Sequence, residues 1–204
     1  MNKGQFQLNK NRIETLTDGI YAIALTLAVL TIDVSELQAG DGTMPSLSVI
    51  VPQVINYAIA FFVLASFWSG HHRQTDTIEK VDNTYIRLNI SMLFFVALVP
   101  FTTDLMGSFN RYPIVVLIYS GNLFIIGVLN ILASYHANRS LRPSSKKIPD
   151  AEYRYIIAKG LVIPVTCILV ITFAYTVSAE YSGIIFLLIP VVHQLLKKAV
   201  TASR

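Results

Sequence analysis

Asp18, His71, His72 and Asn89 are the side chains with most chemistry to offer in a chain that is 53% apolar and only 14% charged. Between Asp18 and Asp33 lie fourteen uncharged residues, 19–32. At 1.5 Å per residue they make roughly 21 Å of helix, short of a ~30 Å hydrocarbon core, so the helix carries Asp18 into the membrane. A carboxylate there costs on the order of 3 kcal/mol and needs protein, water or a partner. Its own helix offers none, because Arg12 lies about 240° round the wheel and Glu14 at i−4 repels it. The partner is expected from another helix. His71 and His72 emerge at the same depth from a helix running antiparallel to the first, and either suits, although a solvated histidine pair at a membrane interface reads the same way. Trp68 beside them fits an interfacial anchor, and Asn89 is a polar group within an apolar segment that must find a partner.

The element that positions Asp18 has an ordered apolar pattern. Leu16, Ile20, Ile23, Leu27, Leu30 and Val34 follow one another at spacings of four, three, four, three and four, which makes one continuous helical seam. Beside it runs a stripe of smaller or polar residues, Gly19, Ala22, Thr26, Val29 and Asp33. On the far side Thr17, Tyr21, Ala24, Ala28 and Thr31 permit close helix packing. A core helix of an ordinary bundle has the same periodicity.

Length and hydropathy put these helices in an all-α, polytopic membrane protein of one domain, residues 1–204 (204 residues, mean hydropathy +0.56). Six membrane segments are expected, at about 13–32, 45–70, 83–103, 112–135, 155–179 and 181–196. All of the 16 Lys and Arg except Arg111 fall at the amino terminus or in the second, fourth and C-terminal connections. The positive-inside rule therefore places both termini in the cytoplasm, in a cell membrane. That spread also argues against nucleic acid as a partner, in spite of a net charge of +4. Asp33, Glu36 and Asp41 make the first outer loop acidic, either as a cation-concentrating outer mouth or simply as a solvated loop. Pro100 should kink the third segment and free a carbonyl. Segments five and six read as scaffold.

No phosphate loop, nucleophile elbow or zinc-protease helix is present, a single cysteine and four histidines support no metal cluster, and the Thr-Val-Gly-Tyr-Gly potassium filter is absent. An enzyme is not indicated, and no cofactor is expected.

Arg12, Leu16, Thr17 and Asp18, followed by residues 19–30, resemble the first helix of the prokaryotic transmembrane-protein-175 family, whose signature is Arg, three residues, then Phe-Ser-Asp. Leu16 and Thr17 depart from it conservatively. Trp68, His71, His72 and Arg73, with Leu98, Val99, Pro100, Phe101 and Thr103, also resemble family positions. The resemblance implies a potassium-selective channel of six helices per chain, assembled as a homotetramer around its first helices. Ile23, Leu27 and Leu30 would ring the pore as hydrophobic constrictions with Thr26 supplying hydroxyls, potassium being the permeant ion at these residues. Arg12, Thr17, Asp18, Trp68, His71, His72 and Asn89 would form a supporting polar network. Two alternatives stay open: a proton channel or proton-coupled transporter titrating Asp18 and a histidine of segment two, and a non-conducting scaffold.

Overall fold

The computed structural model describes residues 10–32, 47–76, 78–142 and 148–202, and every regular element among them is helical. The first helix, α1 (Lys10–Leu27), tightens into a 3-10 turn over Ala28–Thr31. Then come α2 (Leu47–Thr75), α3 (Asn83–Ala97), α4 (Val99–Phe109) and α5 (Pro113–His136), the last continued by a π turn over Ala137–Leu141. Next is α6 (Asp150–Thr176), and a 3-10 segment, Ser182–Leu187, leads into α7 (Leu188–Ala202).

Five of these stretches are long and apolar enough to cross a membrane: Lys10–Thr31, Ile50–Thr75, Asn83–Phe109, Pro113–Leu141 and Glu152–Thr176. They correspond to the first five expected segments, and the chain is a multi-pass membrane protein. The sixth expectation coincides with a shorter apolar stretch, Ser182–Leu196, whose first turns are 3-10. The second helix runs to Thr75 instead of ending at Gly70, so both histidines lie inside it.

Local chemistry explains the breaks. Pro100 lacks an N–H, so helix continuity fails just before it and the third span divides at Leu98. At this break Phe95 O accepts from Leu98 N–H at 3.2 Å and from Asn122 Nδ2 of α5 at 3.1 Å. This is how a membrane bundle tolerates a broken ladder. At the other end of α3, Asp82 caps the helix by accepting from Tyr85 N–H at 2.8 Å.

Helix α5 lies centrally against α3, α4 and α6, while α1 packs on α2 and α3 and places its 3-10 end on α4. The main core joins Tyr21, Leu64, Val96, Leu123, Ile126 and Val170, and a second cluster unites Ile13, Ile78, Tyr85 and Ala133. Gly127 sets the α5–α6 distance, since a Cβ there would lie 2.7 Å from Pro164 Cγ. Pro164 is thus seated directly on Gly127.

Candidate functional site

Helix α1 presents two faces of opposite fate. Ile13, Thr17, Tyr21, Ala24 and Ala28 are buried against the subunit's own bundle, each 4% exposed or less. That is the stripe expected to permit close packing, and Tyr21 Oη reaches Met92 Sδ at 3.9 Å. The seam points away. Leu16, Ile23, Leu27 and Leu30 are 45, 59, 45 and 74% exposed, Ile20 is partly covered, and Val34 lies outside the described residues. The small-residue stripe of Gly19, Ala22, Thr26 and Val29 is exposed as well, so the uncovered arc is wider than the seam. Thr26 Oγ1 donates to Ala22 O and Ile23 O, both at 2.9 Å, which leaves its lone pairs outward.

At the edge of this arc Asp18 finds a partner from another helix, and the partner is Trp68: the indole Nε1–H donates to Asp18 Oδ1 at 2.9 Å. Neither histidine takes that place. His72 instead stacks on the Trp68 ring, with centroids 5.6 Å apart and planes 14° from parallel, and its Nε2 lies 3.8 Å from Asp76. Stacking fixes the indole plane, and the fixed plane aims its N–H at the carboxylate. Glu14, expected to repel Asp18, pairs with Lys10 at 3.3 Å. Arg12 is exposed and has no polar partner among the described residues.

Behind Asp18 runs a buried chain of hydrogen bonds. His71 Nε2 donates to Asn89 Oδ1, Asn89 Nδ2 donates to Thr17 Oγ1, and Thr17 Oγ1 donates to Ile13 O, at 2.9, 2.9 and 2.8 Å. Asn89 and His71 are only 1 and 4% exposed, so every polar atom in this relay needs the next one. Tyr85 packs edge-on against His71, receives a 3.4 Å bond from Gln74, and Gln74 in turn accepts from Ser134 at 2.6 Å. The relay ties α1, α2 and α3 at one level and sets the rotation of α1, hence the direction of its exposed arc. Six of the seven residues expected to form the polar network thus take part in one of two adjoining clusters. Arg12 does not. Asp33, Glu36 and Asp41 lie outside the described residues. Among the described residues no group of His, Cys, Asp and Glu is placed to hold a metal ion.

The residues themselves point to a histidine as the partner of Asp18 and to Trp68 as an anchor; the family resemblance puts Trp68 and Asp18 in one polar network, without the direct bond between them. The signal available was the spacing Trp68–His72, one turn apart, which permits a ring stack to orient the donor.

The family model described as endosomal/lysosomal potassium channel TMEM175 matches residues 12–100. A Chryseobacterium protein named potassium channel is 31% identical over 109 residues, covering 52% of this chain and 55% of that one. A Streptomyces collinus protein, also named potassium channel, is 32% identical over 100 residues, with 49% and 48% covered. A mouse protein named endosomal/lysosomal proton channel TMEM175 is 27% identical over 198 residues, with 88% of this chain and 39% of that one covered. The chain spans about half the length of the bacterial relatives it matches. The crystal structure of a lysosomal potassium-selective channel TMEM175 homolog from Chamaesiphon minutus superposes with a TM-score of 0.75 at 24% identity, covering 91% of this chain and 96% of that one, a likeness of fold. The family is one of ion channels and not of enzymes. The matched residues span the exposed arc of α1, the Asp18–Trp68 bond and the buried relay, and over this first half the chain is similar to the TMEM175 family.

Proposed function

We propose that the protein is a potassium-selective cation channel, formed by a homotetramer in which the exposed arc of α1 faces a central axis. One observation carries the reading. An exposed apolar stripe alone is what any lipid-facing helix shows, but this arc also holds Gly19 and Thr26 and is bordered by exposed Asp18. A carboxylate facing lipid would cost on the order of 3 kcal/mol, whereas one facing a neighbouring subunit or an aqueous vestibule would not. A single helix cannot enclose a path, and four copies in closed rotational symmetry can.

In this arrangement Ile23, Leu27 and Leu30 make successive apolar rings that give an ion no ligands, so conduction needs wetting or widening, and the rings act as gate. Thr26 hydroxyl oxygens are the polar groups nearest that level. Both termini lie in the cytoplasm of a cell-membrane protein, and Ser182–Leu196 completes a sixth, shorter crossing. The potassium-channel names of the bacterial relatives agree with this reading.

A second reading, proton conduction, is favoured by the name of the mouse relative and by Asp18 with its stacked Trp68–His72 support at one end of the arc. Reversal potentials of the purified protein in liposomes, under opposed potassium, sodium and proton gradients, separate the two. A reversal potential that follows potassium supports the first, one that follows pH supports the second, and no current under any gradient overturns both.

A further inference from the structure

A cavity of 1230 Å³ lies between α2, α5, α6 and α7, away from the exposed arc of α1. It exceeds the ~300–1,000 Å³ usual for small-molecule sites. Its wall runs along α2 from Ile55 to Gln74 and continues to Asp76 just beyond the helix. At 1.5 Å per residue the stretch from Ile55 to Arg73 is about 27 Å, most of a hydrocarbon core. Ile55 and Phe62, 45 and 68% exposed, belong to that wall, so the cavity opens on the membrane-facing surface of the subunit.

Its two ends differ in chemistry. One is apolar, with Ile55, Ile59, Phe62 and Phe186. The other gathers three cations, Arg73, Arg142 and Lys159, against two carboxylates, Asp76 and Glu152. Three cations against two carboxylates leave this end with an excess of positive charge. Arg142 is only 8% exposed, held by Asn138 Oδ1 at 2.8 Å, a placement that an arginine adopts when it meets an acceptor at depth. Beside it the Tyr153 hydroxyl, which also lines the cavity, is buried with no hydrogen-bond partner among the described residues. A buried hydroxyl left without an acceptor costs about 1–3 kcal/mol, so the site has a donor in want of an oxygen.

We propose that this cavity binds one anionic phospholipid, its phosphate at Arg142, Lys159 and the Tyr153 hydroxyl and an acyl chain along Ile59, Phe62 and Ile163. The charge excess selects an anionic over a zwitterionic headgroup. The apolar length of the wall selects a lipid over free phosphate.

Native mass spectrometry of the detergent-purified protein, titrated with phosphatidylglycerol, phosphatidylcholine or inorganic phosphate, tests this. Phosphatidylglycerol should be retained in preference to phosphatidylcholine. Lys159→Gln and Tyr153→Phe should each weaken it by about ten-fold, the scale of one charge-assisted hydrogen bond. Ala58→Phe, on the apolar wall, should weaken both lipids alike. Each variant is accepted only with the parent's elution profile, and neither Arg142 nor its capping contact is disturbed. Equal retention of the two lipids, phosphate binding as strong as phosphatidylglycerol binding, or retention unchanged in all three variants would overturn the proposal.

Discussion

Helices α1 and α6 each turn a row of large apolar side chains outward, and the two rows differ in what accompanies them. On α6 the exposed residues include Leu161, Val165, Ile168, Leu169 and Tyr175, and the one exposed threonine between them, Thr172, returns its hydroxyl to Ile168 O at 2.8 Å. No charge interrupts the row from Leu161 to Tyr175, so hydrocarbon alone would satisfy it. On α1 the same degree of exposure comes with Gly19, Thr26 and, at the border, Asp18 held by Trp68. Apolar exposure is thus not the distinguishing quantity. Polar and small residues sharing the row separate a face that wants protein from one that wants hydrocarbon.

The comparison is broken most forcefully by placing the same amide on both rows. Ile23→Asn would set four amides around the proposed axis, where they can hold water and ligate a cation. Conductance should rise on the order of ten-fold, the equivalent of about 1.4 kcal/mol off the barrier, and potassium preference should fall. Ile168→Asn on α6 should leave both unchanged and only reduce stability. Single-channel recordings of the two variants decide: an assembled Ile23→Asn channel indistinguishable from the parent removes Ile23 from the pore, and a changed Ile168→Asn channel erases the contrast between the rows.

The two helices also differ in what fixes their rotation. For α1 it is the polar relay, for α6 the seat of Pro164 on Gly127. Asn89→Leu leaves His71 and Thr17 without their partner, a loss of about 1–3 kcal/mol per buried polar group. Asp18→Ala removes the acceptor of the Trp68 indole at the helix border. Both should reduce the fraction of tetramer surviving in detergent, read by mass photometry, more than they alter the potassium-to-sodium ratio. Gly127→Ala should cost about 1–3 kcal/mol through overpacking, since its Cβ would lie 2.7 Å from a proline ring that cannot swing away. Its melting temperature should fall while the ion preference of the folded fraction stays that of the parent. Gly160→Ala, whose Cβ would meet Ile131 Cγ1 at 3.1 Å, should be milder, because an isoleucine rotamer can yield.

These contrasts mark where the amino-acid sequence is legible. Both stripes of α1 can be drawn from spacing alone, because a 3.6-residue period leaves its imprint on any packed helix. Which stripe the subunit buries is not in the spacing, since Tyr21, Ala24 and Ala28 are no more apolar than Ile23, Leu27 and Leu30. The need for a cross-helix partner at Asp18 is a matter of solvation and follows from one residue. The partner's identity depends on how α2 is rotated against α1, and that is set by the Thr17–Asn89–His71 relay, a long-range contact. The cavity is further from view, because it exists only where α2, α5, α6 and α7 diverge, and segments that look featureless singly contribute its Lys159, Tyr153 and His193. Proline behaves likewise: Pro100 announces a break, but the bond that Asn122 makes there belongs to the bundle.

The smallest expected effect concerns Asp82, outside the membrane-spanning stretches, which joins the start of α3 to the end of α5. Its Oδ1 caps α3, and His136 Nε2 lies 2.8 Å from Oδ2. Burial opposes its charge, but the Tyr85 N–H and the His136 imidazole outweigh it and hold the carboxyl below its ordinary range. A carboxyl depressed in the folded state favours folding fully above its unfolded value of about 3.9, and that contribution disappears as pH falls through the depressed value. The acid limb of stability should therefore lie below about pH 4. Since the side chain is 44% exposed, screening keeps the effect modest. Asp82→Asn retains an oxygen for the cap and loses the charge, so it should flatten that acid limb without shifting potassium flux, whereas Asp18→Asn alters the border of the exposed arc itself. Thermal melts of parent and Asp82→Asn between about pH 3 and pH 6 check the sign, and a parent that gains stability as pH falls through that window contradicts the assignment.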